Sequence, residues 1–547
     1  MITDSRSIPA NTELGCDLCI VGAGAAGIAL ALQFVQSKFR VIVLESGGEK
    51  LEAEQQALND GEVVDGVHPP AHLYRQRRLG GSTAIWGGRC VPLEDQDFRK
   101  RPHVPLSGWP FDRSALQPFY EGAQSLLEVG EFNYTALPGE LVKGFRDPDM
   151  LTEMVERFSP PTNFWKRYRT ELAKSAAVTV IKRATCLRLI GDRAVTRLEC
   201  VGAGNVCFKV RARFFVLAVG GLEIVRVLAH SGYGNHSGML GRTYMCHIEA
   251  ELGQLRLSPA DRGVQFGFAR TNDGIYCRRR FTLRAEQQDT LGILNAAIRL
   301  HRPNVVDPSH RHPVLSAVYL TKKVIVPEYA RKFAVVEHEA MRSSGNDWGL
   351  WLEYVRNVMF GAPQLASFAL DWVFRRHLTY RRIPSVALPN AAGVYSLDFN
   401  GEQAPNPESQ VLLAHETDRY GVPKLRVDWR VSELDWLTLS RMLRELRRAV
   451  EACGCGTIEY DEERLDQDAR ASAVPVGGHH IGTARMSTCP SSGVVNADGR
   501  VHHVENLYVA GCATFPTSGQ ANPMLTIVAM ALRLAEHLET RLDDQFI

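Results

Sequence analysis

The 547-residue sequence predicts an α/β fold in which a helix-wound parallel sheet is assembled from both ends of the chain. Three segments predict it. Residues 15–50 read as strand, glycine turn, helix and strand. Residues 175–230 read as alternating strands ending in a second glycine turn and helix, and residues 474–540 are rich in glycine, histidine and small residues before a closing helix. The middle, roughly 242–470, has another texture, with long amphipathic stretches and basic pairs such as Arg375-Arg376 and Arg381-Arg382. This length exceeds one ordinary core. The expected organisation is therefore a discontinuous domain, residues 1–241 and 474–547, carrying a second domain, 242–473.

With 45% apolar and 23% charged residues, the chain can bury a sizeable core without metals or disulfides. A net charge of +2 excludes the electrostatic footprint of a nucleic-acid binder. The 12 cysteines are irregularly spaced; Cys16 and Cys19 lie in the apolar run feeding the first glycine turn, with no companion pair at zinc spacing. Reduced thiols, no metal and a cytoplasmic location are expected. The N-terminus, MITDSRSIPANTELG, lacks a basic region followed by an apolar one, so no secretory signal is expected. Residues Val358 to Phe374 form the most apolar long stretch, but it is short for a membrane span and carries Asp371. An amphipathic helix is expected there, with a peripheral membrane contact as the alternative.

The glycine turn carries the first chemistry. Cys19-Ile20-Val21 ends an apolar run, then Gly22-Ala23-Gly24-Ala25-Ala26-Gly27 opens a helix from Ile28 to Val35. Gly22 makes the tight turn, Gly24 admits a pyrophosphate to the backbone, and Gly27 lets helix and strand pack closely. The helix start, at Ala25 and Ala26, offers free N–H groups and a partial positive charge. The next strand, Val41 to Leu44, ends at Glu45 and Ser46, with Glu45 placed to accept both ribose hydroxyls and repel a 2′-phosphate. This is a Rossmann-like dinucleotide site, and it does not separate FAD from NAD.

Later segments do. Arg78-Leu79-Gly80-Gly81-Ser82-Thr83-Ala84-Ile85-Trp86-Gly87-Gly88 is a loop whose glycine backbone can lie against a planar ligand. Gly108-Trp109-Pro110-Phe111 reads as an aromatic anchor. Phe214 to Leu217 runs through Ala218 into Gly220-Gly221 and a helix, and Gly241-Arg242-Thr243-Tyr244-Met245-Cys246-His247 follows. Near the end stand Gly477-Gly478-His479-His480-Ile481-Gly482-Thr483, Ala510-Gly511-Cys512 and Ser518-Gly519-Gln520-Ala521-Asn522-Pro523-Met524. In these segments the chain resembles the glucose–methanol–choline family of flavoproteins, particularly its pyranose-oxidase-like, sugar dehydrogenase branch.

The resemblance implies FAD as cofactor and a second domain built on a β-sheet flanked by helices. It implies that Arg78, Gly80, Gly81, Ser82, Trp86, Gly87 and Gly88 lie along the flavin and pyrophosphate. Ala218 and Gly220 would close the flavin domain, residues 178–181 would contact the adenine, and Gly511, Cys512, Pro523 and Met524 would flank the flavin ring. Family members that tether FAD do so through a histidine where this chain has Ile85, so noncovalent binding is expected, with His68 and His72 as alternative tethers.

A histidine on a glycine-flanked loop can project toward a ligand and exchange a proton near neutral pH, and Asn522 can orient a hydroxyl. Taken alone, such a histidine is more often structural. The family pattern H-x-x-G-T implies that His479 is the catalytic base, Asn522 its partner and His480 a packing residue. The implied reaction is oxidation of an alcohol group, most readily a sugar, glycoside or polyol hydroxyl, with hydride passing to flavin N5. A dehydrogenase is favoured over an oxidase; the electron acceptor is oxygen, a quinone or a redox protein. The rival readings are an oxidase of a non-sugar alcohol, a flavin-bound lyase without redox chemistry, an NAD enzyme and a flavoprotein kept as a binding subunit. Glu402 and Gln403 read either as substrate contacts or as a solvated turn, and the segment 300–390 with Trp348, Trp351 and Trp372 as a sugar lid, an oligomer contact, a membrane-facing patch or core packing.

Overall fold

The computed structural model describes residues 1–64, 66–135, 138–301, 311–325, 347–385, 388 and 392–544. A six-stranded, all-parallel sheet forms the centre of the first domain. Its strands run, edge to edge, Ile2–Asp4, Val178–Lys182, Val41–Glu45, Leu18–Val21, Phe214–Leu217 and Leu507–Val509. Leu18–Val21, Phe214–Leu217 and Leu507–Val509 are buried throughout, as an unbroken apolar run in a helix-covered parallel sheet requires. Helices Ala25–Gln33 and Met524–Asp544 pack on each other against this sheet. The chain is thus α/β, and the parallel sheet draws its strands from segments before and after the middle of the sequence.

The middle of the chain builds an antiparallel sheet whose core strands are Ile248–Leu257, Val394–Gly401 and Ala296–His301. Helix Glu433–Ala452 covers it, its start fixed by a capping box between Ser432 and Asp435. Two of its neighbours come from earlier in the chain: Met150–Leu151 extends the sheet, and Val155–Phe158 pairs with Tyr276–Arg279. The two sheets share one continuous apolar core.

The apolar stretch at 358–374 is not one helix. Gly361 separates Asp347–Phe360 from Ala362–His377, and the second helix buries none of its residues. Met359, Phe360, Leu370 and Phe374 are all exposed there. No helix among the described residues is long and apolar enough to cross a membrane. Trp372 stacks on Phe368 with Arg376 over its ring, Trp351 is exposed, and the side chain of Trp348 lies outside the described residues.

Candidate active site

The glycine turn divides its work as the spacing predicts. Gly22 sits at φ +102°, and a Cβ there would lie 2.6 Å from the Ala218 carbonyl oxygen. A Cβ at Gly27 would overlap the Gly22 carbonyl oxygen, so this glycine allows helix and strand to touch. At Gly24 a Cβ would meet nothing within 4 Å. It would instead project into a deep cavity lined by Gly22, Gly24, Ala25, Ala26, Glu45, Ser46, Ala218, Gly220, Gly511, Cys512 and Met524. Gly220 and Gly511 likewise leave open space where a side chain would stand. A cradle of bare backbone at one helix start, walled by two more strand-to-glycine turns, fits the pyrophosphate and flavin of FAD.

Glu45 lies at the end of its strand, 7% exposed, and accepts from Ala23 N and Gly47 N, each at 2.9 Å. Burial pushes its carboxyl up to about 7, against these two donors. Lone pairs remain for a ribose. Beyond Glu45 the cavity continues along Ala184, Thr185 and Cys186, just past the residues 178–181 expected from the resemblance. Those earlier residues are enclosed between neighbouring strands.

The 78–88 loop lies directly on the glycine turn, with Gly80 N donating to Ala23 O at 2.8 Å. Gly81 and Ser82 reach the cavity wall. The rest of the loop is used otherwise: Arg78 turns out to the Glu49 carbonyl, and the Trp86 indole donates to the Thr162 carbonyl. The Gly88 carbonyl accepts from Ser159 N, and the loop then delivers Arg89 to the catalytic side. Gly87 is exposed. Pro523 is buried, its carbonyl accepting from Ile527 N in the first turn of the closing helix.

Sequence reasoning missed a cluster of charges on the same wall. Glu223, at the start of helix Gly221–Ser231, pairs with Arg75 at 2.9 Å, Arg77 at 2.7 Å and Arg226 at 3.2 Å. Burial opposes its ionisation, but Arg77, Arg226 and Arg75 outweigh it and hold the carboxyl at about 2. The strand-to-glycine pattern marked Glu223's helix but nothing marked its partners. His480 also lines the cavity, its carbonyl accepting from the Cys512 thiol at 3.2 Å.

His479 and Asn522 meet across 43 residues of sequence: Asn522 Nδ2 lies 3.1 Å from His479 Nε2. A short antiparallel bridge sets the geometry. Met245 and Ile481 exchange backbone hydrogen bonds at 2.9 and 3.0 Å, so two residues along each strand His247 stands opposite His479. Their Nδ1 atoms are 2.9 Å apart and their rings cross at 85°. His247 is fully buried, and burial takes its pKa down to about 4. His479 is half-buried. Loss of water, then His247, Arg89 and His480, lower its pKa well below the ordinary histidine value. Each of these influences favours the neutral imidazole, the form able to accept a proton.

Arg89, the other residue sequence reasoning passed over, places Nη1 3.5 Å from Asn522 Oδ1 and Nε 3.6 Å from Glu156. Burial opposes the charge of Glu156, yet Arg299 and Arg89 keep it at about 2. Glu402 and Gln403 are neither substrate contacts nor a solvated turn. Both are buried: Glu402 is bidentate to Arg101, and Gln403 Oε1 accepts from Cys246 N and the Trp429 indole. Trp109 is the expected anchor, its indole donating to Thr517 Oγ1 at 2.9 Å beneath the loop that leads to Asn522.

A parallel sheet with three strand-to-glycine turns around one cavity is the architecture of a dinucleotide-dependent oxidoreductase. The family model for GMC oxidoreductase matches residues 405–531. The chain is 33% identical over 586 residues to paromamine 6′-oxidase of Streptomyces fradiae, covering 95% of this chain and 90% of that one. It is 21% identical to 2-methyl-1,2-propanediol dehydrogenase of Mycolicibacterium austroafricanum, over 96% of each. A fungal aryl-alcohol oxidase shares the fold with a TM-score of 0.53 at 15% identity, over 97% of this chain and 99% of that one. The chain belongs to the GMC oxidoreductase family, and its cofactor is FAD.

Proposed function

We propose that the chain oxidises an alcohol group of a small polyhydroxylated substrate, a sugar or glycoside. One observation carries the reading: a neutral imidazole nitrogen and a carboxamide donor lie 3.1 Å apart, with a guanidinium behind the carboxamide. A substrate hydroxyl entering between them donates its proton to His479 Nε2 while its oxygen accepts from Asn522 Nδ2. As alkoxide character grows, the amide and the Arg89 charge stabilise it in a site shielded from water. FAD, when bound, supplies the two-electron oxidant that takes the hydride. The names of two relatives, paromamine 6′-oxidase and C-glycoside 3-oxidase, support a sugar-like substrate.

Residues 242–473, joined by strands Met150–Leu151 and Val155–Phe158, serve as the substrate-binding domain, and the rest of 1–241 with 474–547 as the FAD domain. Noncovalent FAD binding is favoured because Ile85 offers no tether and His68 is buried against the Tyr244 hydroxyl at 2.8 Å. His72 instead faces Asp60 at 3.3 Å. The test is anaerobic flavin bleaching on addition of sugars and glycosides. His479→Ala is expected to retain FAD and to reduce it at least about 10²-fold more slowly. Unchanged reduction would remove His479 from the reaction. Turnover with and without oxygen then decides whether oxygen, a quinone or a redox protein accepts the electrons.

A further inference from the structure

We propose that His247 is a positioning residue that fixes the tautomer of His479, at the end of a one-way chain of hydrogen-bond donors that begins at Arg89. The inference rests on the reading of His479 as base and adds what keeps its Nε2 lone pair free.

The direction of the chain follows from what each group can do. A guanidinium donates and never accepts. The Asn522 atom facing Arg89 Nη1 must therefore be its oxygen, which turns the NH₂ toward His479 Nε2. An NH₂ group needs a lone pair opposite it. A neutral imidazole carries one N–H, so in His479 it sits on Nδ1. That Nδ1–H points at His247 Nδ1, 2.9 Å away, which must accept. The proton of His247 then lies on Nε2, an atom with no partner in strict geometry, while the Ser518 and Gly519 backbone beside the ring favours its protonated form.

The reverse order fails at its first step. It would set the Asn522 NH₂ against the Arg89 guanidinium, donor against cation. It would also put the proton of His479 on Nε2, where a substrate hydroxyl could no longer deliver its own. The charged and titratable groups acting on His479 are His247 from the facing strand, Arg89 from the 78–88 loop and His480 beside it. Glu402 and Arg89 act on His247. Every group in the first set disfavours a second proton on His479. The relay therefore presents a neutral base with a fixed lone pair before substrate arrives, which is the preorganisation that base catalysis requires.

Two readouts on the FAD-loaded protein test this. The first is the ¹⁵N spectrum of histidine-labelled protein, in which the two neutral tautomers of His479 are distinguished and its signal is assigned by loss in His479→Ala. The second is the rate of anaerobic flavin reduction against pH. The parent protein should show the Nδ1–H tautomer. His247→Asn retains an acceptor and should keep that tautomer and the shape of the pH profile. His247→Leu removes the acceptor; it should populate Nε2–H and slow reduction on the order of 10²-fold with FAD content and KM little changed. Retention of Nδ1–H in His247→Leu, or its equal loss in His247→Asn, overturns the proposal. If His247→Leu does not hold FAD, the parent spectrum decides, because an Nε2–H imidazole there overturns it directly. Failure of the alcohol-oxidation reading is separate: it shows as unchanged reduction in His479→Ala, whatever the tautomer.

Discussion

Single residues carry distinct and separable duties in this site. Gly24 and Gly27 are three positions apart in one motif, yet their substitutions should fail differently. Gly24→Val projects into open space, so the protein should keep its fold by circular dichroism while losing FAD uptake. Gly27→Val drives a side chain into the Gly22 carbonyl and should cost about 1–3 kcal/mol or more by denaturant unfolding before any effect on FAD is read. The close packing at Gly27 and the open backbone at Gly24 were legible in the spacing, because a turn, a ligand approach and a packing contact each demand glycine at a set offset. Arg89 and His247 were not. An arginine after two glycines and a histidine at the end of G-R-x-x-M-x-H have many possible neighbours. Only the Met245–Ile481 bridge, a contact spanning more than two hundred residues, puts His247 opposite His479. Glu402 and Gln403 show the same limit in reverse, since a polar pair beside prolines looks like a turn until Arg101, Cys246 and Trp429 are seen to occupy it.

At the scale of elements, buried strands announced themselves and the surface helices did not. Continuous apolar runs such as Phe214–Leu217 have one solution in a helix-covered sheet. The 358–374 stretch is apolar as well, and an amphipathic helix was the expectation there. In the structure Gly361 breaks it, and Leu370 and Phe374 remain 63% and 60% exposed. Phe374→Ser should therefore change the unfolding free energy by no more than about 0.5 kcal/mol. Leu525→Ala, a fully buried position in the helix that follows Asn522, should cost about 2–5 kcal/mol. Denaturant titrations of the two variants side by side check both values.

Across the whole molecule, buried titratable groups pull stability in opposite directions. His247 has a folded pKa of about 4 against an ordinary value near 6.5, so the unfolded chain takes up its proton first as pH falls. Its stabilising contribution is full above about 6.5 and is lost on the way down to about 4. Glu45, Asp97 and Asp435 are raised to about 7 by burial and act the other way: their contribution is present below the ordinary carboxyl range and is lost as pH rises through 7. A difference measurement isolates the histidine. Between pH 7 and 4.5 the parent protein should lose up to about 3 kcal/mol relative to His247→Asn in denaturant unfolding. An unchanged difference would mean that His247 does not titrate with folding. The central sheet has a further consequence. Its sixth strand, Leu507–Val509, and the His479 and Asn522 side chains follow the whole antiparallel-sheet domain in sequence. A ribosome must therefore deliver that intervening domain before the cleft can close. A prematurely terminated product has no base and no partner for the edge of Phe214–Leu217, and that open edge is what a chaperone or protease would meet.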